Sequence, residues 1–251
     1  MFNYIKAEMY KWLRRPLLYV SSLIIMALIV LVFLLISDNA PMEARGILIS
    51  IANEFLSAIL IFVVILTSIF LEEFKEGTLK NIASYGLNKE KIFLGKIIIE
   101  SIIFIIICIV CLVTFIICIY TFTIPYEGYS NASLLLLLTK FLVGLPLYLG
   151  GIALVNILML FCKKDFLLAI LYIIVLNFRQ IILYLEHKVS KSFIYVYKLL
   201  LTSQLSKLQI MESINSEMIS IALIGAVYTI VFSLIGMKIF RNKKLNKERV
   251  N

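Results

Sequence analysis

The sequence predicts an all-α integral membrane protein of six transmembrane helices, with an N-terminal interfacial amphipathic helix and a further cytoplasmic helix between the second and third spans. Three observations carry that expectation. The chain is 62% hydrophobic and 16% charged, with a mean hydropathy of +1.04, against the roughly 45–50% apolar content of an ordinary soluble domain. Six runs approach the ~20 apolar residues that a helix needs to cross a hydrocarbon core of roughly 30 Å. Basic residues cluster beside alternate runs, as topology signals do.

The runs lie near 17–36, 55–71, 97–122, 134–162, 165–185 and 218–237. The first and third are the clearest and the second is short. The fourth is overlong and holds Gly144, Pro146, Gly150 and Gly151, so it is a place for the helix to bend, break or tilt where neighbours satisfy the freed backbone. The first exceeds the ~7–15 residue core of a signal peptide and lacks a small-residue cleavage pattern, so it reads as an uncleaved span. An even number of crossings returns the C-terminus to the starting side.

Charge assigns that side. One set of intervals holds Lys6, Lys11, Arg14, Arg15, Lys75, Lys80, Lys89, Lys91, Lys96, Lys163, Lys164, Lys238, Arg241, Lys243, Lys244, Lys247 and Arg249. The other holds Arg45, Lys188, Lys191, Lys198 and Lys207, leaving Lys140 and Arg179 within spans. Lys and Arg near span ends resist translocation, so the seventeen-residue side is cytoplasmic and the five-residue side is outside. The whole chain, 1–251, then reads as one transmembrane domain in the cell (cytoplasmic) membrane. It comprises an interfacial helix 1–16, five spans across 17–185 with the loop 72–96, an outer segment 186–217, a sixth span 218–237 and a basic tail 238–251. The formal charge of +9 does not indicate nucleic acid, because the basic residues flank apolar runs and form no single stripe.

Several chemistries are excluded. No G-x-x-x-x-G-K-[ST] loop occurs, since Gly95-Lys96 is followed by Ile97 and has no glycine five positions earlier; the chain therefore lacks a phosphate cradle. His187 is the single histidine, so there is no multi-histidine metal site. Cys108, Cys111 and Cys118 share a helical face of the third span, and Cys162 ends the fourth. Without a second pair or a neighbouring histidine they read as small packing residues. Glu72-Glu73 resembles the start of the Glu-Glu-x-x-x-Arg signature of CPBP-type membrane proteases, but position 77 is glycine. No catalytic residue and no metal ligand is assigned.

Two polar-side segments are more informative. Phe2, Ile5, Met9, Trp12 and Leu13 fall in an arc of ~100° on a helical wheel, with Lys6, Lys11, Arg14 and Arg15 off it. This is an amphipathic helix that lies on the membrane surface and ends before Pro16. The segment 72–91 places Phe74, Thr78, Ile82 and Tyr85 within ~80° of one another on a helix, with charges elsewhere. Gly86 supplies a stop. Such a helix can dock in a groove of a partner, and its mixed charges favour protein over anionic lipid.

The N-terminal amphipathic helix, the six spans, the segment Glu76-Gly77-Thr78-Leu79-Lys80 after the second span, then Asn88-Lys89 and Gly95-Lys96, together resemble the permease subunits of type-2 ABC exporters. The architectural match covers the whole chain and the local motif covers residues 72–96. The resemblance implies that the loop carries a coupling helix contacting a separately encoded cytoplasmic ABC ATPase, with Glu73, Phe74, Glu76, Gly77, Thr78, Lys80, Ile82 and Tyr85 as the coupling residues. It implies a second permease copy or a homologous permease as partner, membrane lipid around both, and ATP and Mg on the ATPase with no cofactor in this chain. The opening Phe2-Asn3-Tyr4-Ile5-Lys6-Ala7-Glu8 also looks like the lantibiotic-immunity and bacitracin-resistance permeases. That likeness implies export of a hydrophobic or amphipathic substrate such as an antimicrobial peptide.

Polar residues inside spans are the candidates for a substrate pathway: Asn156 in the fourth, and Asn177, Arg179 and Gln180 in the fifth. The outer segment 186–217 mixes Phe193, Ile194, Tyr195, Val196 and Tyr197 with Lys191, Lys198 and Lys207, which predicts interfacial or re-entrant helices. Two other classes stay open at this point. A self-contained channel or ion-driven transporter would carry acidic residues at membrane depth, but Glu100 sits one turn from Lys96 near the cytoplasmic end and no Asp or Glu lies mid-span. A non-transporting sensor or accessory subunit is the third.

Overall fold

Helices form wherever the sequence supplies long apolar runs without strand-like alternation, because a backbone in lipid must satisfy its own hydrogen bonds. The computed structural model describes residues 2–37, 59–60, 63–73, 87–122, 131–162 and 164–243. Among these the elements are α1 (Phe2–Leu13), α2 (Pro16–Ser37), α3 (63–73), α4 (Lys89–Phe122), α5 (Asn131–Met159), α6 (Asp165–Lys188), α7 (Phe193–Leu199), α8 (Leu201–Ile210) and α9 (Glu217–Asn242). No strand occurs among the described residues.

Among the described residues five helices are long and apolar enough to span a membrane: α2, α4, α5, α6 and α9. The chain is a multi-pass membrane protein. Of the second expected span, 55–71, residues 55–58 and 61–62 lie outside the described residues, while 63–73 are helical. Pro16 opens α2 after a turn at Arg14 and Arg15; its fixed φ and missing N–H suit a first helical position.

Two boundaries differ from expectation. The third span was expected at 97, but α4 begins at Lys89, so the last eight residues of the expected loop form its first two turns. Hydropathy stops where charges begin; helical hydrogen bonding does not. Ile92 N–H donates to the Asn88 carbonyl at 3.1 Å, and Glu90 in the first turn complements the helix dipole. At 34 residues α4 is about 51 Å long, longer than a bilayer's hydrocarbon thickness. The second difference is in α5, which spans Asn131–Met159 where 134–162 was expected and runs through Gly144, Pro146, Gly150 and Gly151 without a break. Its neighbour supports it there: the Pro146 carbonyl accepts from Thr229 Oγ1 of α9 at 3.1 Å.

The core is built on α4 and α5, about half buried along their most apolar stretches, whereas α2, α6 and α9 keep most of theirs outward. Among the described residues the α5–α9 seam is the most extensive helix contact. A Cβ at Gly225 would lie 2.6 Å from the Leu147 nitrogen and 2.7 Å from the Pro146 carbonyl carbon. Glycine lets the two backbones touch, as small residues do where lipid provides no hydrophobic drive between helices. Aromatic side chains fill the remainder: Phe33 meets Phe115 edge-on at 5.4 Å, and Phe93 packs with Phe240 at 5.4 Å and Phe70 at 6.4 Å.

One end of the bundle collects α1 and the last turn of α9. Arg15 meets Glu72, Lys89 Nζ donates to the carbonyls of Arg241 and Lys243, and Lys243 reaches the Leu160 carbonyl. At the opposite end, Lys140 Nζ donates to the Gln209 carbonyl at 2.6 Å, tying α8 to α5. In the segment 186–217, α8 buries Leu201, Leu205 and Leu208, while α7 buries none of its residues.

Candidate functional site

At the end that collects α1 and the last turn of α9, three charged side chains are buried together. Glu8 comes from α1, Glu73 is the last described residue of α3, and Lys96 comes from the third turn of α4. The Lys96 ammonium donates to both Glu8 Oε2 and Glu73 Oε2, and sits 5.6 Å from the centre of the Phe70 ring, within cation–π range. The other Glu73 oxygen is met by Lys11 at 2.9 Å and by Arg15 at 3.2 Å. Arg15 bridges on to Glu72 at 2.7 Å. The outer cations therefore balance a charge that Lys96, shared by two carboxylates, cannot balance alone.

Local packing explains why these groups meet. Tyr4, Glu8 and Trp12 succeed one another at four-residue steps, so they lie on one face of α1. That face rests on the protein. Trp12 is fully buried, while Phe2 and Leu13, expected on the apolar arc, are exposed. A Cβ at Gly95 would lie 2.6 Å from the Tyr4 ring, so glycine is what admits the Tyr4 ring beside Lys96. Burial, then the charges of Glu8 and Glu73, push the Tyr4 hydroxyl well above its ordinary range; it stays neutral. Burial also pushes the Glu73 carboxyl up, but Lys96 and Lys11 outweigh this and hold it below the usual carboxylate value. Glu73 is an anion at neutral pH.

Such a cluster performs no bond chemistry. It ties Glu73 of α3 to two other helices, and breaking it would strand buried charge. Of the expected coupling residues, Glu73 faces inward and offers no surface to a partner. Phe74, Glu76, Gly77, Thr78, Lys80, Ile82 and Tyr85 lie outside the described residues.

The expected pathway residues are not brought together. Asn156 is fully buried and donates to Glu100 Oε2 of α4. Asn177 and Gln180 are exposed on α6, with Asn177 bonded to the Ile173 carbonyl of its own helix at 2.8 Å, and Arg179 is half-buried. Asn156 stands about 5 Å from the end of α5 along its axis, whereas Arg179 stands about 21 Å from the neighbouring start of α6. The four cysteines are free and buried, as packing residues are.

Sequence reasoning gave Glu8 no role as an ion-pair partner, and it took Lys96 as a topology charge and as part of the Gly95-Lys96 pair. The available signal was an acidic residue on an otherwise basic amphipathic helix, on the same face as Trp12. No group of His, Cys, Asp and Glu able to hold a metal occurs among the described residues.

Comparison with known proteins places this architecture. Residues 4–180 match the ABC-2 family transporter protein family, a stretch that includes Glu8, Glu73, Lys96, Glu100 and Asn156. No curated protein matches the chain. The match spans well over half of the 251 residues and agrees with an all-helical, multi-pass chain, so the protein belongs to the ABC-2 transporter family and is a membrane permease component without an ATPase site of its own.

Proposed function

We propose that this permease is the membrane subunit of an ATP-driven exporter, working as a pair of permeases with cytoplasmic ABC ATPase subunits that carry ATP and Mg. In this reading the chain crosses the cell membrane six times, and the end bearing the ion cluster is cytoplasmic. The cargo is a hydrophobic or amphipathic molecule such as an antimicrobial peptide, removed in self-protection. The observation that carries the reading is the buried Glu8–Lys96–Glu73 cluster. It ties Glu73, the residue that precedes 74–86 in the chain, to α1 and α4, so a partner acting on that segment would act on the bundle. ATP-driven closure of the ATPases then needs only to favour one of two helix packings separated by a few kcal/mol.

The test is to disrupt the segment and leave the spans alone. Thr78→Pro in a docked helix should break it, since proline in a helix interior costs ~3 kcal/mol and removes a donor. Ile82→Asp should keep the helix but set a charge on its docking stripe. Both variants should insert normally yet lose ATPase co-purification or cargo-linked ATP turnover, while Lys75→Gln should change little. Full association and full export in both disruptive variants would remove the coupling assignment. Labelling of single cysteines in intact cells should miss position 80 and reach position 190. The cargo follows from which antimicrobial peptides become more toxic when the gene is deleted.

A further inference from the structure

The bundle interior holds a second polar pair that the ion cluster does not use. Glu100 lies one turn beyond Lys96 on α4 and Asn156 lies on α5, both fully buried. Both amide hydrogens of Asn156 are committed, one to Glu100 Oε2 and one to the Ile152 carbonyl at 2.9 Å. Two acceptors are left over. Glu100 Oε1 and Asn156 Oδ1 are buried with no hydrogen-bond partner.

The surroundings do not supply the missing donor. The groups that face Glu100 are Thr67 and Glu73 of α3, Lys96 of α4 and Asn156 of α5. The Thr67 hydroxyl stands within reach of the Glu100 carboxylate, but its one hydrogen goes to the Val63 carbonyl at 3.1 Å, and the Lys96 ammonium is shared between Glu8 and Glu73. Buried polar atoms in folded proteins are nearly always paired, so an orphan acceptor on each of two hydrogen-bonded side chains signals a missing hydrogen. A single hydrogen satisfies both at once.

We propose that Glu100 and Asn156 bind one proton, forming a neutral acid–amide pair with two reciprocal hydrogen bonds that latches α4 to α5. In that pair Glu100 Oε1–H donates to Asn156 Oδ1, and Asn156 Nδ2–H donates to Glu100 Oε2. A charge-free pair suits a site where an ionised carboxylate without its own cation is strongly disfavoured. The nearest cation is already matched by two carboxylates. Water admitted between α4 and α5 would solvate the carboxylate and release the proton, so proton binding is tied to the closed packing of these helices. The inference does not rest on the exporter reading.

Infrared spectroscopy of the purified protein in lipid at neutral pH tests it. The expected result is the carbonyl stretch of a protonated carboxylic acid, shifted in D2O, absent from Glu100→Gln and displaced in Asn156→Leu. Glu100→Gln should also keep the wild-type melting temperature, because its amide can donate to Asn156 Oδ1 and accept from Asn156 Nδ2. Asn156→Leu should lower the melting temperature. Should Glu100→Gln fail to fold, the displacement in Asn156→Leu carries the assignment. Absence of the acid band from the wild type would overturn the proposal, as would a band unchanged in both variants. A melting temperature raised by sodium or potassium in the wild type but not in Glu100→Gln, with no acid band, would assign the site to a metal cation instead and likewise overturn it.

Discussion

The end of the bundle that gathers α1 and the last turn of α9, and the seam between α5 and α9, solve the same problem by opposite means. Helices in lipid gain little from burying apolar surface against one another, so each contact needs either close backbone packing or polar ties. At the gathered end α1, α3 and α4 are tied by buried charge on Glu8, Glu73 and Lys96. At the seam Gly225 lets α9 touch the backbone of Pro146 and Leu147, helped by one hydroxyl bond from Thr229. The two regions therefore fail differently. The first is sensitive to removing an atom group, the second to adding one.

The largest expected effect comes from Lys96→Met. It leaves Glu8 and Glu73 buried without their shared cation, and removing one partner of a buried ion pair typically costs about 3–5 kcal/mol. Unfolding in detergent, followed by circular dichroism, measures it. Combining Lys96→Met with Glu8→Gln and Glu73→Gln should recover much of the loss, because the stranded charges go with their partner. A triple variant no more stable than Lys96→Met would show that shape, and not charge, holds this end together.

Next in size is Gly225→Leu, which overlaps backbone that cannot swing aside and should cost about 1–3 kcal/mol. Gly225→Ala should follow in the same direction with a smaller drop in melting temperature, since even a Cβ lies under 3 Å from three atoms of Pro146 and Leu147. The cluster and the seam share no partner, so the Lys96→Met and Gly225→Leu effects should add. Strong non-additivity would mean that the two regions report on a single packing rearrangement.

Acid should act on the first region and spare the second. The Glu73 carboxyl is held below its ordinary value of 4.5 in the folded protein, with Lys96 and Lys11 overcoming burial. For a depressed carboxylate the stabilisation is fully present above the unfolded value and drains away as pH falls through the folded one. Melting temperature should therefore hold near neutral pH and decline below about pH 4.5. Glu73→Gln should flatten that decline, and Gly225→Ala should leave its midpoint where it is.

Much of this was legible in the sequence, and what was not has a physical reason. The span boundaries at Pro16, Asp165 and Glu217 fall within a residue of the edges of apolar runs, because hydropathy and helix length answer to the same bilayer. The start of α4 at Lys89 does not, since helical hydrogen bonding passes through charged turns that hydropathy excludes. The ion cluster was invisible for another reason. Glu8, Glu73 and Lys96 are far apart in sequence and each sits beside basic residues that read as ordinary topology charges. The Glu100–Asn156 contact needed the relative rotation of α4 and α5, which no periodicity within one helix provides. Asn156 was singled out for its polarity, and the structure gives that polarity a partner where a pathway was expected.

The smallest predicted effect sharpens the comparison by holding chemistry constant and changing only burial. Glu90 of α4 meets Arg241 of α9 at 3.0 Å, at the same end as Glu73, but both side chains are roughly half exposed. Water solvates either charge when its partner is lost, and salt screens what attraction remains, so exposed pairs are usually worth about 0–1 kcal/mol. Glu90→Gln should thus shift the melting temperature little, and 0.5 M salt should erase most of that shift. Glu73→Gln should respond to salt far less, because ions do not reach a fully buried carboxylate. If the two substitutions proved equal in size and in salt dependence, burial would not be what sets the strength of this end of the bundle. The contrast with the glycine seam would then reduce to one of residue type alone.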